Sequence, residues 1–177
     1  MNALHLNEIN IPESVTSLGQ YSFSGCSSLS QIVLSNSLTF IGESSFNFCS
    51  SLKQIINNSL VSLIEDSIFS FCKLITIPQS ATEIGTCSFY GCTSLSKIDI
   101  HQNVTKIDKS AFYGCTSLAK IELPSSLKII NQGAFERCTA LLSISIPLSV
   151  TKLGFSIFKG CESIQEIIIQ SSNNVLH

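Results

Sequence analysis

Charge is scarce in this chain of 177 residues. Charged residues make up 12% of it, about half of the roughly 25% usual for soluble domains. Lysine and arginine total 10 against 12 aspartates and glutamates, a net charge of -2. No basic stripe is visible, so nucleic acid is not an expected partner, and an anionic membrane surface attracts it no better. No apolar run approaches the roughly 18 residues of a membrane span, so no membrane insertion is expected. The opening MNALHLNEINIP lacks the basic start and continuous apolar stretch of a secretory signal. Read literally, that places the chain in the cytosol. Cys-x-x-Cys is missing, and His5, His101 and His177 are scattered, so zinc spacing is absent. There is no Ser-His-Asp set, phosphate loop or metal-binding carboxylate cluster. His101 near Asp99 is the one His–acid neighbour on an expected exposed strand, a pairing that reads as structural. No cofactor, metal or catalytic residue is expected, and the chain does not read as an enzyme.

What the sequence does have is apolar content, 44%, arranged in a repeat. Phe23, Phe46, Phe69, Phe89, Phe112, Phe135 and Phe158 follow one another at steps of 23, 23, 20, 23, 23 and 23. A cysteine stands three residues after each: Cys26, Cys49, Cys72, Cys92, Cys115, Cys138 and Cys161. With Leu6 as position 1 of a 23-residue unit, apolar residues recur at positions 1, 4, 6, 10, 13, 18 and 21. All four prolines (Pro12, Pro78, Pro124, Pro147) fall at position 7.

Positions 4 and 6 alternate with polar residues, the pattern of a short half-buried strand. Proline then ends the pairing, because it has no N–H to donate. Ser or Asn at position 9 suits a turn, and Val-x-x-Ile makes a second short extended piece. Position 14 holds Gly19, Gly42, Gly85 and Gly154, with Glu65, Asp108 and Asn131 in the other units. This predicts a bend with positive φ there, strained at Glu65. Phe and Cys three apart predict one helical turn with both side chains on one face. One such coil cannot bury its own apolar edge; stacked coils bury each other's. Between Cys72 and Pro78 the chain is three residues short, which puts Cys72 at position 1 of the fourth coil, slides Leu74 into the leucine role and predicts a local distortion.

The unit Leu-x-x-Ile-x-Ile-Pro-x-Ser-Val-x-x-Ile-Gly-x-x-Ala-Phe-x-x-Cys resembles the BspA-like leucine-rich repeat, a class also known from treponemal repeat proteins. Leu118–Ala140 and Leu141–Ser163 match best, and the resemblance runs from residue 6 to about 169. It implies a repeat solenoid: a right-handed leucine-rich-repeat coil with short parallel β-strands and short helical turns. Residues 1–177 are then one domain, with 23-residue repeats from residue 6 to about 163, a partial last coil at 164–170 and a polar tail at 171–177. The resemblance also implies a non-catalytic protein-binding module, a surface antigen or adhesin. The alternative is an intracellular protein-interaction scaffold.

Seven equivalent cysteines cannot pair off evenly, so buried reduced thiols are expected in preference to bridges. Cys87, at position 16, is expected to be more exposed. Positions 3 and 5 should face outward on a concave sheet, giving Gln31, Val33, Gln54, Ile56, Lys97, Asp99, Lys120 and Glu122 as a candidate ligand face. For the four charged residues, cross-strand ion pairing is the competing reading. Val33 and Ile56 form a small apolar strip. On the turn edge, Tyr90 and Tyr113 are candidate contacts, as are Phe48 and Phe71; equally, these rings pack over the coil edge. Two sequons occur, Asn57-Asn58-Ser59 and Asn103-Val104-Thr105. The open coil ends read either as a piece of a longer array or as ends that stack on another molecule, and end-to-end self-association is expected.

Overall fold

The computed structural model describes residues 7–52, 54–57, 61–72, 77 and 79–170, with backbone alone for 54–57. Each unit contributes two short strands. The first set lies at positions 3 to 6: β1 (Glu8–Asn10), β3 (Gln31–Leu34), β5 (Gln54–Asn57), β10 (Ser143–Ile146) and β12 (Glu166–Ile169). The second set lies at positions 12 and 13: β2 (Ser17–Leu18), β4 (Phe40–Ile41), β6 (Leu63–Ile64), β7 (Glu83–Ile84), β8 (Lys106–Ile107), β9 (Ile129–Ile130) and β11 (Lys152–Leu153). All pairing is parallel, and equivalent positions sit side by side: Ile9 with Ile32, Ile144 with Ile167, Ile84 with Ile107, Ile107 with Ile130. The molecule is a parallel β-solenoid built from leucine-rich repeats.

Within a strand, burial alternates. Ile32 and Leu34 are buried while Gln31 and Val33 are not, and Ile144 and Ile146 repeat the pattern against Ser143 and Ser145. The stretches at Lys97–Ile100 and Lys120–Leu123 pair through one parallel bridge, Asp99 to Glu122. β10 stops at Ile146, immediately before Pro147, as a residue without an N–H requires. Serine at position 9 reaches back to the preceding coil: Ser126 Oγ donates to Val104 O at 2.7 Å, and Ser149 Oγ to Leu127 O at 2.7 Å.

The core runs the length of the stack. Phe46, Phe89, Phe112 and Phe135 are fully buried. Phe23 to Phe158 form one ladder of rings with centroids 5.1 to 6.0 Å apart. The step from Phe69 to Phe89 is tilted by 33°, while the other steps lie between 3° and 13°. That is the 20-residue step; the shortened stretch itself, with Leu74 and Pro78, lies outside the described residues.

Two local expectations are corrected. The Phe-x-x-Cys segment is a run of tight turns, and no helix occurs among the described residues. Cys26 N–H bonds Phe23 O at 3.1 Å, and Leu29 N–H bonds Cys26 O at 3.0 Å. The left-handed residues are not at position 14 but at positions 16 and 20. Position 16 has φ of 53 to 62° (Ser44, Ser67, Cys87, Ser110, Gly133 among others), and position 20 has φ of 59 to 74° (Gly25, Phe48, Phe71, Gly91, Gly114, Arg137, Gly160). Glu65 therefore carries no such strain. The turn donates along the axis: in the first coil Tyr21, Phe23 and Gly25 N–H bond Glu43, Ser45 and Asn47 carbonyls in the next. Glycine at position 14 serves a close approach instead. A Cβ on Gly42 would lie 2.7 Å from Gln20 N and 2.9 Å from Gly19 C in the coil before.

Gly42→Ala is therefore expected to destabilise the protein by about 1–3 kcal/mol through overpacking against backbone. The check is a shift of the urea midpoint with an unchanged denaturant slope.

Candidate functional site

Of the predicted ligand residues, the first-strand face carries the four charged ones outward. Lys97, Asp99, Lys120 and Glu122 are all exposed, with Asp99 and Glu122 side by side in neighbouring coils. The ion pairs, however, run along each strand rather than across. Lys97 Nζ sits 3.1 Å from Asp99 Oδ1, and Lys120 Nζ 2.8 Å from Glu122 Oε1. Residues two apart on one strand share a face, so each coil neutralises itself locally. Hydrogen bonding to Glu122 holds the Lys120 ammonium pKa up. Hydrogen bonding from Lys120 holds Glu122 below the ordinary glutamate value; Lys97 adds to this and Asp99 opposes it. The face thus presents acids beside acids, each tied to its own lysine and open to solvent. Gln31 and Val33 are half-buried there, and Gln31 Nε2 donates to Glu8 Oε1 at 3.2 Å. Gln54 and Ile56 pair with Gln31 and Val33 through the backbone; their side chains lie outside what is described.

The turn edge carries a column of rings. Phe48 and Phe71 stack at 4.7 Å, and so do Tyr90 and Tyr113. Phe71 meets Tyr90 edge-on at 5.6 Å, which joins the two expected pairs into one series. Arg137 extends it, with its guanidinium carbon 5.9 Å from the Tyr113 centroid. The rings cover one another's faces and leave edges exposed; Phe48 keeps 53% of its surface open. These side chains therefore pack on one another and stay partly exposed.

Sequence reasoning missed a polar network on the second-strand side. Lys106 Nζ reaches Asp108 Oδ2 at 2.7 Å and Glu83 Oε2 in the preceding coil at 3.3 Å. Asn131 Nδ2, one coil onward, donates to Asp108 Oδ1 at 2.8 Å. Burial pushes the Asp108 carboxyl up, but the bonds from Lys106, the Lys109 N–H and Asn131 outweigh it and hold it below its usual value. Here lies the cross-strand ion pairing expected on the other face. Four charged or amide side chains on one face of neighbouring repeats, Glu83, Lys106, Asp108 and Asn131, were the available signal.

His101 is structural. Its Nε2 lies 2.9 Å from Ile77 O and its Nδ1 3.1 Å from Gln79 Nε2, so it ties two coils together. Among the described residues, no group of three or more His, Cys, Asp or Glu is placed to hold a metal ion. Nor is any helix there long and apolar enough to cross a membrane.

All eight cysteines are free thiols. Six of them donate Sγ–H to the carbonyl of the phenylalanine in the preceding coil: Cys49 to Phe23, Cys72 to Phe46, Cys92 to Phe69, Cys115 to Phe89, Cys138 to Phe112 and Cys161 to Phe135, at 3.0 to 3.2 Å. Burial raises their pKa values; those of Cys49, Cys92 and Cys138 are pushed up to about 12. Cys87 and Cys26 are only partly buried.

The profile of the BspA-type leucine-rich repeat region matches residues 1–76 and 73–177 in 6 copies. Solved structures share the fold, among them three leucine-rich repeat proteins. A leucine-rich cell surface protein from Faecalibacterium prausnitzii superposes with a TM-score of 0.66 at 25% identity, over 96% of this chain and 61% of its own. A leucine-rich repeat protein from Bacteroides ovatus gives 0.62 at 29%, over 93% and 57%. The leucine-rich repeat protein of T. pallidum gives 0.66 at 27%, over 92% and 69%. The chain thus spans about three-fifths of the first two relatives' length. No curated protein matches it by sequence.

Because only a thiolate attacks iodoacetamide, the six buried cysteines should resist alkylation at pH 8 while Cys26 and Cys87 react. Intact-mass measurement should find two added groups in the native protein and eight in guanidinium without reductant. Fewer than eight in guanidinium would reveal disulfides.

Proposed function

The chain belongs to the BspA-type leucine-rich-repeat family, and we propose that it is a non-catalytic protein-binding module of the surface-antigen or adhesin kind. The observation that carries this reading is the first-strand face. A rigid apolar stack presents exposed, individually neutralised charges at Lys97, Asp99, Lys120 and Glu122. Gln31 and Val33 lie further along it, in register with Gln54 and Ile56. Such a face suits a protein ligand of mixed charge: salt-accessible pairs steer and select a partner, while the stack beneath stays fixed. Tyr90 and Tyr113 are the edge contacts in this reading. The likeness to a bacterial leucine-rich cell surface protein supports a place outside the cell.

The fold supports a further association, between copies. Ile144 and Ile146 are 2% and 3% exposed under the following coil, whereas Ile167 and Ile169 of β12 are 45% and 65% exposed. We propose that this strand docks end to end on a second copy, with residues 1–177 acting as one domain. Light scattering should then show an apparent mass that rises with concentration; a constant monomer mass would refute it.

Protease shaving of intact producing cells tests the location. The expected result is loss of this chain with cytosolic markers spared. Full protection would instead make it an internal interaction scaffold.

A further inference from the structure

Where the aromatic column ends, the turn edge forms a groove lined by Tyr113, Thr139, Glu136, Arg137, Lys159 and Glu162. Its cations are not equivalent. Lys159 has a partner, Glu136 Oε1 at 3.6 Å. Arg137 lies over the Tyr113 ring, and among the described residues no carboxylate is within ion-pair distance of it. Its N–H fork is held by a ring face and left without an acid.

The backbone makes this arginine conspicuous. Arg137 has φ of 59°, at the position where four of the seven coils have glycine. A side chain in the left-handed region costs energy that glycine avoids, a cost that the repeat turn imposes on eight other non-glycine residues as well. Packing explains Phe48 and Phe71, which stack on each other at the same position. Arg137 contributes one ring contact and leaves its charge facing the groove.

We propose that this groove binds an isolated carboxylate of a partner peptide, received side-on by the Arg137 guanidinium. The planar fork matches a carboxylate in a bidentate geometry. The Tyr113 ring, 5.9 Å from the guanidinium carbon, holds the side chain at the groove, which reduces the entropy lost on binding. Glu136 and Glu162 in the same walls balance Arg137 and Lys159, so the groove as a whole has no net charge. A dianion or an acidic run meets those two carboxylates, whereas a single carboxylate flanked by neutral residues meets only the fork. This site is separate from the first-strand face and does not depend on that face binding anything.

The test is titration of the isotope-labelled chain with a blocked pentapeptide carrying one central glutamate, its glutamine counterpart and inorganic phosphate. The glutamate peptide is expected to shift the Arg137 Nε–H resonance and the Thr139 amide saturably, and the glutamine peptide is not. Arg137→Gly suits the local backbone and keeps the fold, which the dispersion of the spectrum verifies. It should weaken binding by at least about tenfold, the loss expected for a charge-assisted pair. Arg137→Lys should fall between the two, since it keeps the charge and loses the fork. Equal response to the glutamine peptide, no saturable shift, or binding indifferent to Arg137→Gly would overturn the proposal. Phosphate acting as strongly as the glutamate peptide would overturn the assignment to a carboxylate.

Discussion

From Phe23 to Phe135, the backbone N–H of each ladder phenylalanine donates to a carbonyl in the next coil, as Phe89 does to Ala111 and Phe112 to Ala134, both at 2.8 Å. On the same rung the phenylalanine carbonyl accepts twice: from the N–H of its own cysteine and from the thiol of the next coil's cysteine. This rung sets the axial spacing and therefore the face-to-face ring ladder, the register of both strand sets and the rows of surface side chains. A thiol is a weak donor, but cysteine is also small and apolar enough to be buried beside a ring. Serine in its place would carry a hydroxyl into an apolar core, and alanine would leave the second lone pair of the carbonyl unmet.

The repeat made most of this architecture readable. Spaced phenylalanines, prolines at position 7 and alternation at positions 3 to 6 are enough to derive the parallel stack and its inward and outward faces. The error lay with glycine. Glycine stands at positions 14 and 20 in four units each, but for different reasons. Gly42 lets one backbone approach another, while Gly91 and Gly114 adopt φ of 66° and 69°. A residue letter does not distinguish missing volume from missing chirality. Ser44, Ser67 and Ser110 at position 16 hid the second left-handed site further, since serine does not advertise it.

The candidate site was legible in outline and not in its pairings. Spacing alone puts Lys97, Asp99, Lys120 and Glu122 on one face. Which lysine takes which acid depends on side-chain reach, and the short path lies within the strand. The cross-coil network of Lys106 instead uses positions 12 and 14 of successive units, where a strand of two residues gives no alternation to read. Arg137 was hidden because its partner ring, Tyr113, stands at a different repeat position one coil away.

Because hydrogen-bonded strands join neighbouring coils in chain order, tension has an unusual path through this molecule. A pull along the stack loads the hydrogen bonds between successive coils in series. Such a body unravels by single coils. Each 23-residue unit releases roughly 75–85 Å of slack at full extension. The rest of the stack, with its faces intact, stays folded while that slack is drawn.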